Sequence, residues 1–195
     1  MRTGRIVLLI VLALLVLTGL GGGCMLYNAY KTAISLDEGV KGAWADVEVV
    51  LKRRYDLIPN IVATVKGYAK HESRTLQNVI AARNQGIKAT TPAEAAKASN
   101  AFTGAMRSLI NVVNERYPEL KANENFRALQ IELEGTENRI AEMRKRYNDN
   151  VRALNTYIRG PIGAIAAGWA GVKKADYFEA GQAAKEAPKV DFNSP

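Results

Sequence analysis

Residues 123–161 read NENFRALQIELEGTENRIAEMRKRYNDNVRALNTYIRGP, and their spacing decides the fold. Phe126, Leu129, Leu133, Thr136, Ile140, Met143, Tyr147, Val151, Leu154 and Ile158 follow one another at steps of three and four, which puts them on a single stripe of an α-helix. Asn123 stands before the first periodic position as a good N-cap, and Gly160-Pro161 closes the pattern. One helix of about 35 residues is expected here, and it must bury its stripe against other helices.

The same periodicity fills the chain upstream. Val40, Trp44, Val47, Leu51 and Tyr55 share a face, and Ile58, Ile61, Val62, Val65 and Ala69 begin a series that reaches Leu76, Val79 and Ile80. Pro59 divides the two, either as the first turn of a new helix or as a kink in a long one. A further helix follows Thr91-Pro92, a cap and a first-turn proline, with Ala95, Ala98, Phe102, Ala105, Met106, Leu109, Val113 and Tyr117 on its core side until Pro118. No alternating run bounded by turn signals argues for a strand. Helices over about 28–57, 60–86, 93–116 and 124–159 with short links predict an all-α chain, a four-helix up-and-down bundle over residues 27–160.

Ahead of the bundle lie 25 residues, from Ile6 to Tyr30, with no charged side chain. Ile6, Leu9, Leu12, Leu15, Leu20 and Leu26 mark an apolar stretch of 21 residues, long enough at ~1.5 Å per residue to reach across the ~30 Å of a hydrocarbon core. It reads as a transmembrane anchor over residues 1–26 or as a secretory signal with Arg2 and Arg5 as its basic start. Within the signal reading, Cys24 is a candidate for lipidation, although Gly21, Gly22 and Gly23 precede it where a lipobox wants a Leu-like residue three places back. Arg2 and Arg5 before the span, against Lys31, Asp37 and Glu38 after it, place the N-terminus in the cytoplasm and the bundle outside it.

Residues 161–195 carry a second apolar piece. Ile162 to Val172 is Gly- and Ala-rich and too short to span, but Ile162, Ile165 and Trp169 beside Lys173 and Lys174 suit an interfacial contact with lipid as well as packing over the bundle end. The polar stretch from Gln182 to Pro195 lacks periodicity and is expected to be mobile.

The polar residues between the stripes carry a resemblance. Tyr27-Asn28, the block LKRRYDLIPN at 51–60, VKGYA at 65–69 with His71-Glu72, Ala82-Arg83-Asn84, YPELKANENF at 117–126, EGTENRI at 134–140, RYND at 146–149 and YFEA at 177–180 together resemble the LemA family of bacterial membrane-anchored helical proteins. The likeness runs over about residues 27–192. It implies a helical bundle behind an apolar N-terminal segment at the bacterial inner membrane. It implies no reaction, and it points to partners in the envelope such as a membrane protease.

The residues agree with the absence of a reaction. One His and one Cys exclude an internal disulfide and a multi-His metal site. His71-Glu72 lacks the second His of a zinc motif because position 75 is Thr, and His71 reads as a helix-surface residue. Glu132, Glu134, Glu137 and Glu142 lack the Glu-x-x-His pairs of a di-iron bundle, and Glu137 and Glu142 read as partners of nearby Arg139, Arg144, Lys145 and Arg146. Neither cofactor nor nucleic acid is expected, since the net charge of +8 is spread along helices without interleaved aromatics. The function expected is therefore a non-enzymatic interaction or assembly module that associates with itself. Arg53, Arg54, Tyr55, Asp56 and Asn60 form the densest polar block and allow two readings: a cluster that satisfies helix ends, with Arg54 pairing with Asp56, or a contact surface for a partner.

Overall fold

The computed structural model describes residues 2–69 and 71–179. It is all-helical, with no strand among the described residues. Seven helices follow in order: α1 (Arg2–Asp56), α2 (Ile58–Tyr68), α3 (Ser73–Lys88), α4 (Pro92–Arg116), α5 (Pro118–Ala122), α6 (Glu124–Arg159) and α7 (Pro161–Ala170). The polar tail expected to be mobile, residues 182–195, lies outside the described residues.

The stripe of α6 is buried as its spacing requires. Phe126, Leu133, Thr136, Ile140, Tyr147, Val151 and Leu154 are buried, and Leu129, Met143 and Ile158 half-buried. Each large member removed from water stabilises the fold by about 1.5–3 kcal/mol. Asn123 is the N-cap: its side-chain oxygen accepts from the backbone N–H of Phe126 at 3.0 Å, and its carbonyl from Arg127 at 3.0 Å. α4 starts on the cap read from its sequence. Thr91 Oγ1 accepts from the Glu94 N–H at 3.2 Å while the Glu94 carboxylate accepts from the Thr91 N–H at 3.3 Å, a reciprocal capping box ahead of Pro92.

Two helix boundaries differ from expectation. Only Leu57 separates α1 from α2, and its backbone stays in the right-handed helical region (φ −73°, ψ −23°). α2 therefore opens with Pro59 in its first turn, as the proline signal allows, and the chain bends at Leu57 without an intervening loop. The real break lies inside the expected helix 60–86, where Ala69 leaves helical geometry (φ −119°, ψ 62°) and α3 restarts at Ser73. His71 sits in this bend, exposed, rather than on a helix surface. Upstream, the anchor expected over residues 1–26 and the helix expected over 28–57 form one continuous helix, α1.

The chain divides into two compact units. One comprises Met1–Gly42 and Asp149–Ala175. In it α1 and α6 run antiparallel: a Cβ at Gly39 would stand 3.0 Å from Asn150 Oδ1, and Tyr157 Oη donates to the Ala29 carbonyl at 2.7 Å. Ala29, Ala33 and Val40 are the buried positions of this part of α1. The other unit comprises Ala43–Asn148 and Asp176–Pro195. Here α3 returns alongside the end of α1, with Arg83 Nε donating to the Tyr55 carbonyl at 3.0 Å. α3 and α4 pack along each other, joined by residues 89–91, so they are antiparallel.

Candidate functional site

In the unit of residues 43–148 and 176–195 the polar signature residues form three clusters. The first surrounds Arg54. Leu51 and Tyr55 face the core on the same turn, which carries Arg54 inward, leaving it 2% exposed. Its Nη2 donates to Thr103 Oγ1 at 2.6 Å, its Nη1 to Ser99 Oγ at 3.3 Å, and Nη1 lies 2.8 Å from Glu137 Oε2. The guanidinium carbon stands 4.4 Å from the centre of the Phe102 ring, a cation–π contact. One side chain of α1 thus binds α4 and α6 together. Burial pushes the guanidinium below its ordinary value, and the Glu137 carboxylate opposes that shift. Nε makes no hydrogen bond among the described residues.

This arrangement corrects the pairing expected within the block. Arg54 does not pair with Asp56, which is exposed and bound by Lys52 one turn away. Glu137 is held by Arg54 from another helix, not by Arg139, Arg144, Lys145 or Arg146 on its own. Tyr55 is buried too, with its ring edge-on to Phe102 at 5.3 Å and 77°, and burial raises its hydroxyl above the usual phenol value. Arg54 and Tyr55 are therefore out of reach of a partner, while Arg53, Asp56 and Asn60 remain exposed. Arg53 pairs with Glu132 at 3.1 Å on the surface, and the Asn60 carbonyl accepts from Thr64 Oγ1. Beside Tyr55 opens an apolar groove of about 380 Å³ lined by Trp44, Val49, Leu51 and Ile87, with Glu48 and Lys52 supplying charge.

A second cluster holds the bend between α2 and α3. Glu72 Oε1 accepts from Tyr117 Oη at 3.1 Å and Arg116 Nη1 at 3.4 Å, and Asn123 Nδ2 donates to Tyr68 Oη at 3.0 Å. The residues at 65–72 and those at 117–126, apart in sequence, are two sides of one joint. In the sequence His71-Glu72 reads only as an incomplete zinc motif, and the role of Glu72 in this joint shows only in its distant partners.

The third cluster joins α6 to the segment after α7. Trp44 lies against Tyr147 (ring centroids 5.5 Å) and Phe178 (6.3 Å). Asn148 exchanges two hydrogen bonds with the Phe178 backbone, at 2.9 and 3.0 Å, and Tyr147 Oη donates to the Asp176 carbonyl at 2.7 Å. Burial, with the Asp176 carboxylate adding to it, pushes the Tyr147 hydroxyl up to about 12. RYND at 146–149 and YFEA at 177–180 therefore meet in space; Ala180 lies outside the described residues. Among the described residues no three of His, Cys, Asp and Glu converge where a metal ion could be held.

The apolar segments belong to the unit of residues 1–42 and 149–175. Leu9, Leu12, Leu15 and Leu20 are exposed on α1, as is Cys24, and Leu26 is half-buried; Ile6 lies in α1 with its side chain outside those described. α1 is long and apolar enough there to cross a membrane. On α7, Ile165 and Trp169 are exposed and Ile162 half-buried, and Lys173 and Lys174 are exposed just after it.

The family model described as LemA family matches residues 43–192. Among curated proteins the chain is similar to two from Paramagnetospirillum magneticum, "Magnetosome protein MamQ 1" and "Magnetosome protein MamQ 2". Each is 23% identical over 176 aligned residues, covering 77% of this chain and 64% of the relative. The chain thus spans less than two thirds of the length of these relatives.

Proposed function

The chain belongs to the LemA family, and on that premise we propose that it is a membrane-anchored helical module for assembly, without catalytic chemistry of its own. The observation that carries this reading is the continuity of α1. One helix presents bare aliphatic side chains from Leu12 to Leu20 and then, from Ala29 onward, buries residues against the rest of the protein. Arg54, Glu72 and Asn148 of the polar signature support it as well, because they spend their hydrogen bonds on distant parts of the same chain.

In this reading the unit of residues 43–148 works as an up-and-down four-helix frame. Its staves are α1 with α2, then α3, α4 and α6, with the division at the Ala69–Glu72 bend and not at Pro59. The basic start at Arg2 and Arg5 sets the N-terminus in the cytoplasm of a bacterial inner membrane and the frame outside it. Anchoring confines copies to a surface and raises their effective concentration, which favours self-association.

Cross-linking in native membranes, followed by sizing in detergent, tests the proposal. Products larger than one chain are expected. A strict monomer with no cross-linked partner overturns the assembly role.

A further inference from the structure

The geometry points to a second membrane contact: we infer that α7 lies in the headgroup boundary of the bilayer that α1 crosses, with Ile165 and Trp169 submerged and Lys173 and Lys174 on anionic headgroups. The occupant of this exposed face is the lipid surface. The inference rests on α1 being a retained anchor, and it adds a lateral element to it.

Four observations carry it. First, α7 is placed at the right depth. α6 runs antiparallel to α1 and brings Tyr157 to the Ala29 carbonyl, three residues beyond Leu26, or about 4.5 Å of helix past the apolar stretch. Second, α7 stays at that level. At its start Gly163 packs so closely on the Tyr157 carbonyl and ring that any side chain there would collide with them. Beyond its end, Ala175 exchanges two hydrogen bonds with the Asn155 side chain, at 2.9 and 3.0 Å. Both flanks of the helix are therefore tied to the last turns of α6.

Third, its two faces differ. Gly163, Ala166 and Ala167 are buried, while Ile165 is 49% and Trp169 65% exposed, an apolar pair one turn apart that nothing among the described residues covers. Aliphatic and Trp side chains outward with lysines alongside are what a boundary helix presents, since the indole has an apolar body and one polar N–H. Fourth, the exit is built. The N–H of Val172 bonds the Ala167 carbonyl at 2.9 Å and that of Gly171 the Gly168 carbonyl at 3.3 Å, a Schellman end with Gly171 at φ 68°. Immediately after it come Lys173 and Lys174, both exposed. Near the base of the span, Lys31 stands 5.2 Å from the centre of the Tyr27 ring, so an aromatic and a lysine occur together on α1 as well.

The test uses the full-length protein in vesicles of phosphatidylethanolamine and phosphatidylglycerol brominated near the top of their acyl chains. The chain has two tryptophans, so quenching of Trp169 alone is expected to remove close to half of the emission. Trp169→Phe, at an exposed position, is expected to abolish that loss and leave the helical signal unchanged. Protein that resists alkaline extraction but shows no bromine quenching of Trp169 overturns the α7 contact and leaves the anchor standing. Shielding of Trp169 from aqueous iodide without bromine quenching overturns it as well, and shows a protein cover. Release of the protein by alkali overturns both the anchor and this inference.

Discussion

The phenol of Tyr55 occupies the space that a side chain at Gly86 would need. A Cβ at Gly86 would stand 2.6 Å from Tyr55 Cε2 and nearer still to Cζ and the hydroxyl oxygen. Tyr55 is 3% exposed and edge-on to Phe102, so displacing its ring would break that contact. Gly86→Ala is expected to destabilise the protein by about 1–3 kcal/mol through overpacking, although Ala is the better helix former by about 1 kcal/mol. Gly135→Ala on α6 meets no atom within 4 Å and is expected to stabilise by up to about 1 kcal/mol. Urea melts followed by circular dichroism read the two signs, and equal shifts of both variants contradict the packing described.

Two carboxylates of α6 that pair with arginines of α1 are expected to differ in worth. Glu132 serves exposed Arg53, and Glu132→Gln should change stability by no more than about 1 kcal/mol. Glu137 serves buried Arg54, and Glu137→Gln leaves a charge without its counterion, at about 1–3 kcal/mol after allowance for the half-exposed carboxylate. Arg54→Met in the Glu137→Gln background should recover part of that loss. A double-mutant cycle with no coupling shows that the pair does not tie α1 to α6.

Alkali should weaken the protein through Tyr147. Its folded value of about 12 lies above its ordinary 10.0, so the fold favours the neutral phenol. That contribution is complete below pH 10.0 and is lost as pH rises towards about 12. Tyr147→Phe removes the hydrogen bond to the Asp176 carbonyl, at about 1 kcal/mol near neutrality, and should flatten this alkaline decline. Melting temperatures of both proteins across that range decide it, and parallel curves assign the decline to other groups.

The N-terminal segment should remain on the mature protein. Helical structure runs unbroken through Gly19, Gly21, Gly22, Gly23 and Cys24, and Cys24 is exposed. Intact mass spectrometry of protein purified from membranes is expected to include residues 1–23 with Cys24 unmodified. Cys24→Ser should leave membrane retention unchanged. A mass that lacks residues 1–23 and carries an added lipid establishes the lipoprotein alternative.

How legible this was in the sequence depended on whether the signal was local. The α6 stripe, the Thr91 and Asn123 caps and the apolar start follow from spacing and neighbouring residues, and the structure has them in place. Pro59 marks a boundary because proline fits the first turn of a helix, and α2 opens on it one residue after α1 ends. The bend at Ala69–Glu72 has no proline, and it is held by Tyr117, Arg116 and Asn123, far along the chain. The place of Arg54 is hidden for the same reason: an arginine at the end of the run Lys52-Arg53-Arg54 reads as surface, and only Ser99, Thr103 and Glu137 show that it is interior. The long-range partners of Asn148, Asn155 and Tyr157 had no local signal at all.

The bond from Tyr157 to Ala29 joins residues 128 positions apart, and this gives biosynthesis a fixed order. The ribosome delivers Ala29 and Ala33 long before the stretch of α6 that reaches Ala29, so this part of α1 is made with its alanines bare. A chain that stops short of Tyr157 lacks the donor that closes on the Ala29 carbonyl, and an unfinished copy is therefore one whose first helix still shows its alanines.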